Sequence, residues 1–315
     1  MALFDYFAIA LTVTPYLALS APEVVRALQQ PGKRWKRMRT AQRKKVQGLI
    51  YSAALLLPYL LAALPHIADD PFRFARELLL MVLYLLAPML LQSARLENAR
   101  RPDGLDLLTI LVLWLPVELG WLPQLPGIAA PVPMLLGVVN ALLIYLVVAP
   151  WKTLRSGRGG IGYTFRLTAQ DVGVAVLALV AFAVVALPLG LVTGFLQFEP
   201  PPVPSIGEAL VALGMGYLIT AIPEELLFRG LIQNGLERLF PKAQVATLAA
   251  SALIFGIAHL NNATPDLATP NWMYALVAAL AGLAYGYVWR KTGKITASAI
   301  THGLVNATWA LLLGG

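Results

Sequence analysis

The stretch Ala221-Ile222-Pro223-Glu224-Glu225-Leu226-Leu227-Phe228-Arg229-Gly230 sets two carboxylates and a guanidinium within an apolar run. Ionisable groups in such runs are costly, which makes function the default expectation. Two later apolar segments each carry one histidine, His259 and His302, and the chain has only one other, His66. In a helix, Glu225 and Arg229 stand four residues apart on one face, with the acid N-terminal to the base. Each can neutralise the other. Glu224 lies roughly 100° around the helix from Glu225, so it is the carboxylate left to face something else. Such a group suits the taking and giving of a proton. Pro223 removes a backbone hydrogen bond and predicts a kink.

His302 and Asn306 are four apart and share a face. One free carboxylate, two imidazoles and a carboxamide on three helices make a polar pocket. Two chemistries fit. Two His and one Glu are the ligand count of a catalytic zinc site with an open position. Equally, Glu224 and a histidine can activate a water while the other histidine and Asn306 donate to an oxyanion. The competing structural readings are a buried ionic cluster for Glu224, Glu225 and Arg229, a locally bonded helix cap for His259 and interhelical glue for His302 and Asn306. His66, Glu118 and Glu208 sit near span ends and read as interfacial or solvated.

The elements that must position these groups are membrane helices. The chain is 58% hydrophobic and only 13% charged, against about 25% charged in soluble domains. Its apolar runs approach the length that crosses a bilayer. They fall at 1–20, 48–68, 77–94, 107–122, 134–150, 172–196, 206–239, 243–260, 272–290 and 295–313. The expected fold is all-α, a polytopic transmembrane bundle of about 8–10 spans. Two parts are expected: N-terminal helices over 1–170, with a basic cytoplasmic loop at 21–47, and a catalytic bundle over 171–315. The net charge of +8 equals the eight bases Lys33, Arg34, Lys36, Arg37, Arg39, Arg43, Lys44 and Lys45. Beside membrane spans such a cluster sets topology and meets anionic lipid rather than nucleic acid. The Gly157-Arg158-Gly159-Gly160 turn lacks the Lys-Ser/Thr ending of a phosphate loop. The absence of cysteine excludes disulfides, cysteine-ligated metal and thiol nucleophiles. By these span limits His259 lies about 16 residues from the inner face and His302 about 8, a depth difference of roughly 12 Å. One shared site therefore requires shifted boundaries, or helices that tilt and start at different heights.

The three motifs resemble those of the CPBP family, intramembrane proteases related to the type II CAAX prenyl endopeptidase. Its E-E-x-x-x-R is similar to Glu224, Glu225 and Arg229, its F-x-x-x-H to Phe255 and His259, and its H-x-x-x-N to His302 and Asn306. The resemblance covers roughly 205–310. It implies a helical bundle with a catalytic chamber inside the membrane, in a multi-pass protein of a prokaryotic cell membrane. It implies that Glu224 and His259 activate the attacking water, that His302 and Asn306 stabilise the oxyanion, and that Glu225 and Arg229 are structural. The family's name as metalloproteases makes zinc on Glu224, His259 and His302 an expected cofactor. The expected substrate is a peptide or protein at the membrane, prenylated or not. The alternatives are a non-catalytic immunity or scaffold protein and a proton-coupled transporter.

Overall fold

The computed structural model describes residues 3–30, 38–93, 102–125, 131–148, 160–196, 205–262 and 269–312. Lys33, Arg34, Lys36 and Arg37 of the basic cluster, and Gly157, Arg158 and Gly159 of the glycine-rich turn, lie outside the described residues. The described residues are helical, without strands. They form two compact units, Met1–Arg155 and Ser156–Gly315.

The first unit holds α1 (Leu3–Ala18), α2 (Pro22–Gln29), α3 (Thr40–Ala63), α4 (Pro71–Ser93), α5 (Gly104–Glu118) and α6 (Val132–Val148). The expected first span, 1–20, holds α1, and α2 follows in the expected loop, bent from α1 by 96°. Pro22 at the first position of α2 fits a fresh helix start there. Asp103 and Asp106 form a capping box on α5, satisfying amide groups that a helix start leaves open.

The second unit holds α7 (Ala169–Val192), α8 (Ile206–Leu239), α9 (Gln244–Ala258), α10 (Trp272–Thr292) and α11 (Ile295–Leu312). Capping boxes Thr168/Asp171 and Ser205/Glu208 start α7 and α8. The stretch 160–168 is part of this unit: Ile295 donates its amide to the carbonyl of Gly162, and Lys294 Nζ bonds the carbonyl of Arg166 at 2.9 Å and Asp171 at 2.6 Å.

Among the described residues five helices are long and apolar enough to cross a membrane, or six if the bent α1–α2 pair is one span. This is an integral membrane protein of the polytopic helical class. The count falls below the number of apolar runs because several runs form short helices. Val132–Val148 and Gln244–Ala258 are shorter apolar helices, and α5 has 15 residues, against the roughly 20 that span a bilayer.

α10 packs against α7, α9 and α11. Its approach to α9 depends on small residues, as is usual where no water drives helices together. A Cβ on Gly256 would lie 2.4 Å from the carbonyl oxygen of Ala275, and one on Gly282 would lie 3.1 Å from the Cα of Ala252. Gly256→Ala should therefore lower the thermal midpoint in detergent, by the equivalent of about 1–3 kcal/mol. Gly173 on α7 has open space around it, so Gly173→Ala should be neutral or stabilising by up to about 1 kcal/mol. Equal midpoints for the two variants would contradict this packing.

Candidate functional site

α8 carries the acid pair in an interrupted helix. Two π-helical segments, Gly216–Ala221 and Leu226–Gln233, flank the short α-helical piece Ile222–Glu225. Pro223 has no N–H to offer the carbonyl of Ile219, so regular bonding must loosen there. Such bulges concentrate at functional sites. The expected kink is thus a change of helical pitch on both sides of the acids.

Glu225 and Arg229 are both fully buried, with Arg229 Nη1 3.2 Å from Glu225 Oε1. Arg229 Nη2 donates to the carbonyl of Gly282 at 3.0 Å. The guanidinium also lies 4.6 Å from the Phe255 ring centre and 5.2 Å from that of Tyr285, a cation–π arrangement. Beside this ion pair, Glu225 takes two hydrogen bonds. His302 Nδ1 is 3.0 Å from its Oε1, and Ser298 Oγ is 2.5 Å from its Oε2.

The neighbouring Glu224 has none of this. Its Oε2 is buried and has no hydrogen-bond partner among the described residues. His259 Nε2 stands 3.9 Å from that oxygen and His302 Nε2 stands 3.8 Å from it. These separations are too long for direct hydrogen bonds and short enough for a water to bridge the acid to either imidazole. The far nitrogen of each ring is already engaged. His259 Nδ1 pairs with the carbonyl of Phe255 at 2.8 Å, and a carbonyl can only accept, so Nδ1 carries the proton and Nε2 faces the acid. His302 Nδ1 meets the Glu225 carboxylate with the same consequence.

The ring planes are held by aromatic neighbours. Tyr285 stacks on His302 at 4.6 Å and 13°, and Tyr274 stacks on His259 at 5.8 Å and 18°. Phe255 is the shared wall: its ring lies 4.4 Å from His259, 5.8 Å from His302 and 4.8 Å from Phe228. The two histidines reach one acid because α10 and α11 do not run level. Ser298, the fourth residue of α11, donates to the carbonyl of Tyr285 at 2.8 Å. Tyr285 lies seven residues before the end of α10 and Ser298 three after the start of α11, so α11 starts about four residues, roughly 6 Å, inside that end, which removes about half of the depth offset.

Glu224, His259, His302 and Asn306 line one cavity of about 410 Å³. Asn306 is exposed to it. The rest of the lining is mostly apolar, with Phe182, Leu187, Phe195, Val277 and Trp309 among it. Ser298, Tyr274 and Tyr285 were not singled out from sequence. Ser298 alone had a signal there, standing one turn before His302 in the stripe that continues to Asn306. His66 is paired locally with Asp69 at 3.5 Å, and Glu118 and Glu208 are exposed.

For zinc, the expected ligands were tested by geometry. Ligands at about 2.0–2.1 Å in a tetrahedron sit roughly 3.4 Å from one another, nearer than the acid stands to either imidazole. Among the described residues no group of three or more His, Cys, Asp or Glu is placed to hold a metal ion. The three groups as they stand do not fit the ion, and no step below runs through one.

Residues 206–308 match the family model described as type II CAAX prenyl endopeptidase Rce1-like. That match spans about a third of the chain and is a likeness of this segment to a CAAX-protease family. No curated protein and no solved structure matches the chain.

Arg229→Met should cost about 3–5 kcal/mol, because Glu225 would be left buried without its counter-charge. Arg229→Lys should restore little, since one ammonium cannot serve both Glu225 and the Gly282 carbonyl in the guanidinium's geometry. Thermal unfolding of the three proteins in one detergent decides it. A lysine variant as stable as the parent would refute the two-pronged role.

Proposed function

We propose that this protein hydrolyses a peptide bond within the membrane, using a water held by Glu224 and His259. The observation that carries this reading is the orphaned, buried Glu224 Oε2 facing two imidazole nitrogens across water-sized gaps. The water oxygen attacks the carbonyl carbon of the scissile bond, and Glu224 takes the water's proton. His259 accepts a second hydrogen bond from the water and aims its lone pair. The carbonyl oxygen becomes an oxyanion, which His302 and Asn306 stabilise by donation. His302 can donate through Nε2 only as the imidazolium, because Nδ1–H is already committed to Glu225. The Glu225 carboxylate compensates that charge at contact distance. When the carbon–nitrogen bond breaks, Glu224 returns its proton to the leaving nitrogen. Water is consumed, and the products, a carboxylic acid and an amine, exchange a proton to become a carboxylate and an ammonium.

The apolar lining supports a substrate whose residues beside the scissile bond are uncharged and apolar. Among the described residues, Glu224 is the cavity's only acidic lining residue, and no Lys or Arg lines it. A charged side chain there would lose its hydration without a partner.

Glu224→Gln should abolish cleavage of an apolar, internally quenched peptide in micelles while the thermal midpoint holds. Asn306→Ala should lower kcat about 100-fold with little change in KM, as expected when one oxyanion donor is lost. Turnover retained by Glu224→Gln would remove the proposal and favour a non-catalytic role for the domain.

A further inference from the structure

We infer that Ser298 is a positioning residue for this hydrolysis, holding the carboxylate that orients His302; the inference rests on the role given to His302 above. Ser298 is fully buried. Its hydroxyl meets two acceptors, Glu225 Oε2 at 2.5 Å and the carbonyl of Tyr285 at 2.8 Å. A serine hydroxyl has one proton. Tyr285 lies inside α10, where an amide one turn on serves its carbonyl. The carboxylate is charged and gains more from the proton, giving a charge-assisted bond.

The consequence is a carboxylate held at both ends. Oε1 takes Arg229 and His302, and Oε2 takes Ser298. The terminal torsion of a glutamate is broad and roughly two-fold, so it does not lock itself. With only Oε1 held, the carboxylate swings about that contact. With both held, its plane is set, and the direction in which it accepts from His302 Nδ1 is set too. Ser298 and His302 stand one turn apart on the same face of α11. The two side chains and Glu225 therefore close a loop between two helices, and that loop fixes where His302 Nε2 points.

The chain has three histidines, His66, His259 and His302, so each can be followed by imidazole ¹⁵N NMR on the full-length protein in micelles. His302→Gln assigns the His302 signals. Ser298→Ala should displace the His302 nitrogen signals and leave those of His66 and His259 in place. It should lower kcat toward the apolar quenched peptide about tenfold, the rate equivalent of one charge-assisted hydrogen bond, with KM within about twofold. If Ser298→Ala does not fold, Ser298→Cys keeps the volume and offers only a weak donor, and it should move the same signals less far. Unmoved His302 signals in either folded variant overturn the inference. So does wild-type kcat in Ser298→Ala when the parent chain cleaves the peptide. Cleavage by neither the parent nor any variant instead overturns the protease reading.

Discussion

Arg229 carries a full charge with none of its surface exposed, and the rest of the site is arranged around that cost. An ion in a bilayer-shielded interior is tolerable only when paired and hydrogen-bonded. Glu225 supplies the opposite charge, Gly282 a carbonyl, and Phe255 and Tyr285 their ring faces. These partners come from three helices, α8, α9 and α10. Glu225 then ties α11 to the same group through Ser298 and His302. Stability and function share this node. Satisfying Arg229 draws α9 and α10 against α8, and satisfying Glu225 adds α11, which brings the two histidine-bearing helices to the acid.

Two adjacent glutamates thereby acquire opposite duties. Glu225 is saturated by cationic and hydroxyl donors, so its lone pairs are spent on structure. Glu224 points elsewhere because one residue turns a helix by roughly 100°, and its Oε2 finds no donor among the described residues. Environment assigns the roles here, as with other carboxylate pairs that divide acid–base labour. The π-helical segments on either side of Ile222–Glu225 make the division workable. They let the piece with the acids take its own pitch while the flanking turns keep packing.

The i,i+4 spacing made the Glu225–Arg229 pair legible before any coordinates, and with it the odd carboxylate of Glu224. The convergence of His259 and His302 was legible only as chemistry. Counting residues from span ends separates them by about 12 Å, because such counting assumes that neighbouring helices start level. Ser298 bonding to Tyr285 shows that they do not, and no local pattern encodes that step. Hydropathy reports which runs avoid water, not whether each run forms one helix long enough to cross alone, so five or six long apolar helices stand among the described residues where ten apolar runs are read. Tyr274 and Tyr285, which stack on the histidines, carry no periodic or motif signal, since an aromatic on an apolar helix reads as core.

The motif F-x-x-x-H gains a physical meaning from this arrangement. Its spacing puts the Phe255 carbonyl one turn before the histidine, where it receives Nδ1–H and settles the tautomer. The same residue's ring closes over Arg229 and borders both imidazoles. Leucine could supply the carbonyl and the apolar bulk, but not the negative ring face that a buried guanidinium rewards. Residue 255 thus serves twice, through its backbone carbonyl on α9 and through its ring against the charge on α8, and only the second use calls for an aromatic side chain. His259 and the buried ion pair are therefore not independent features of this chain.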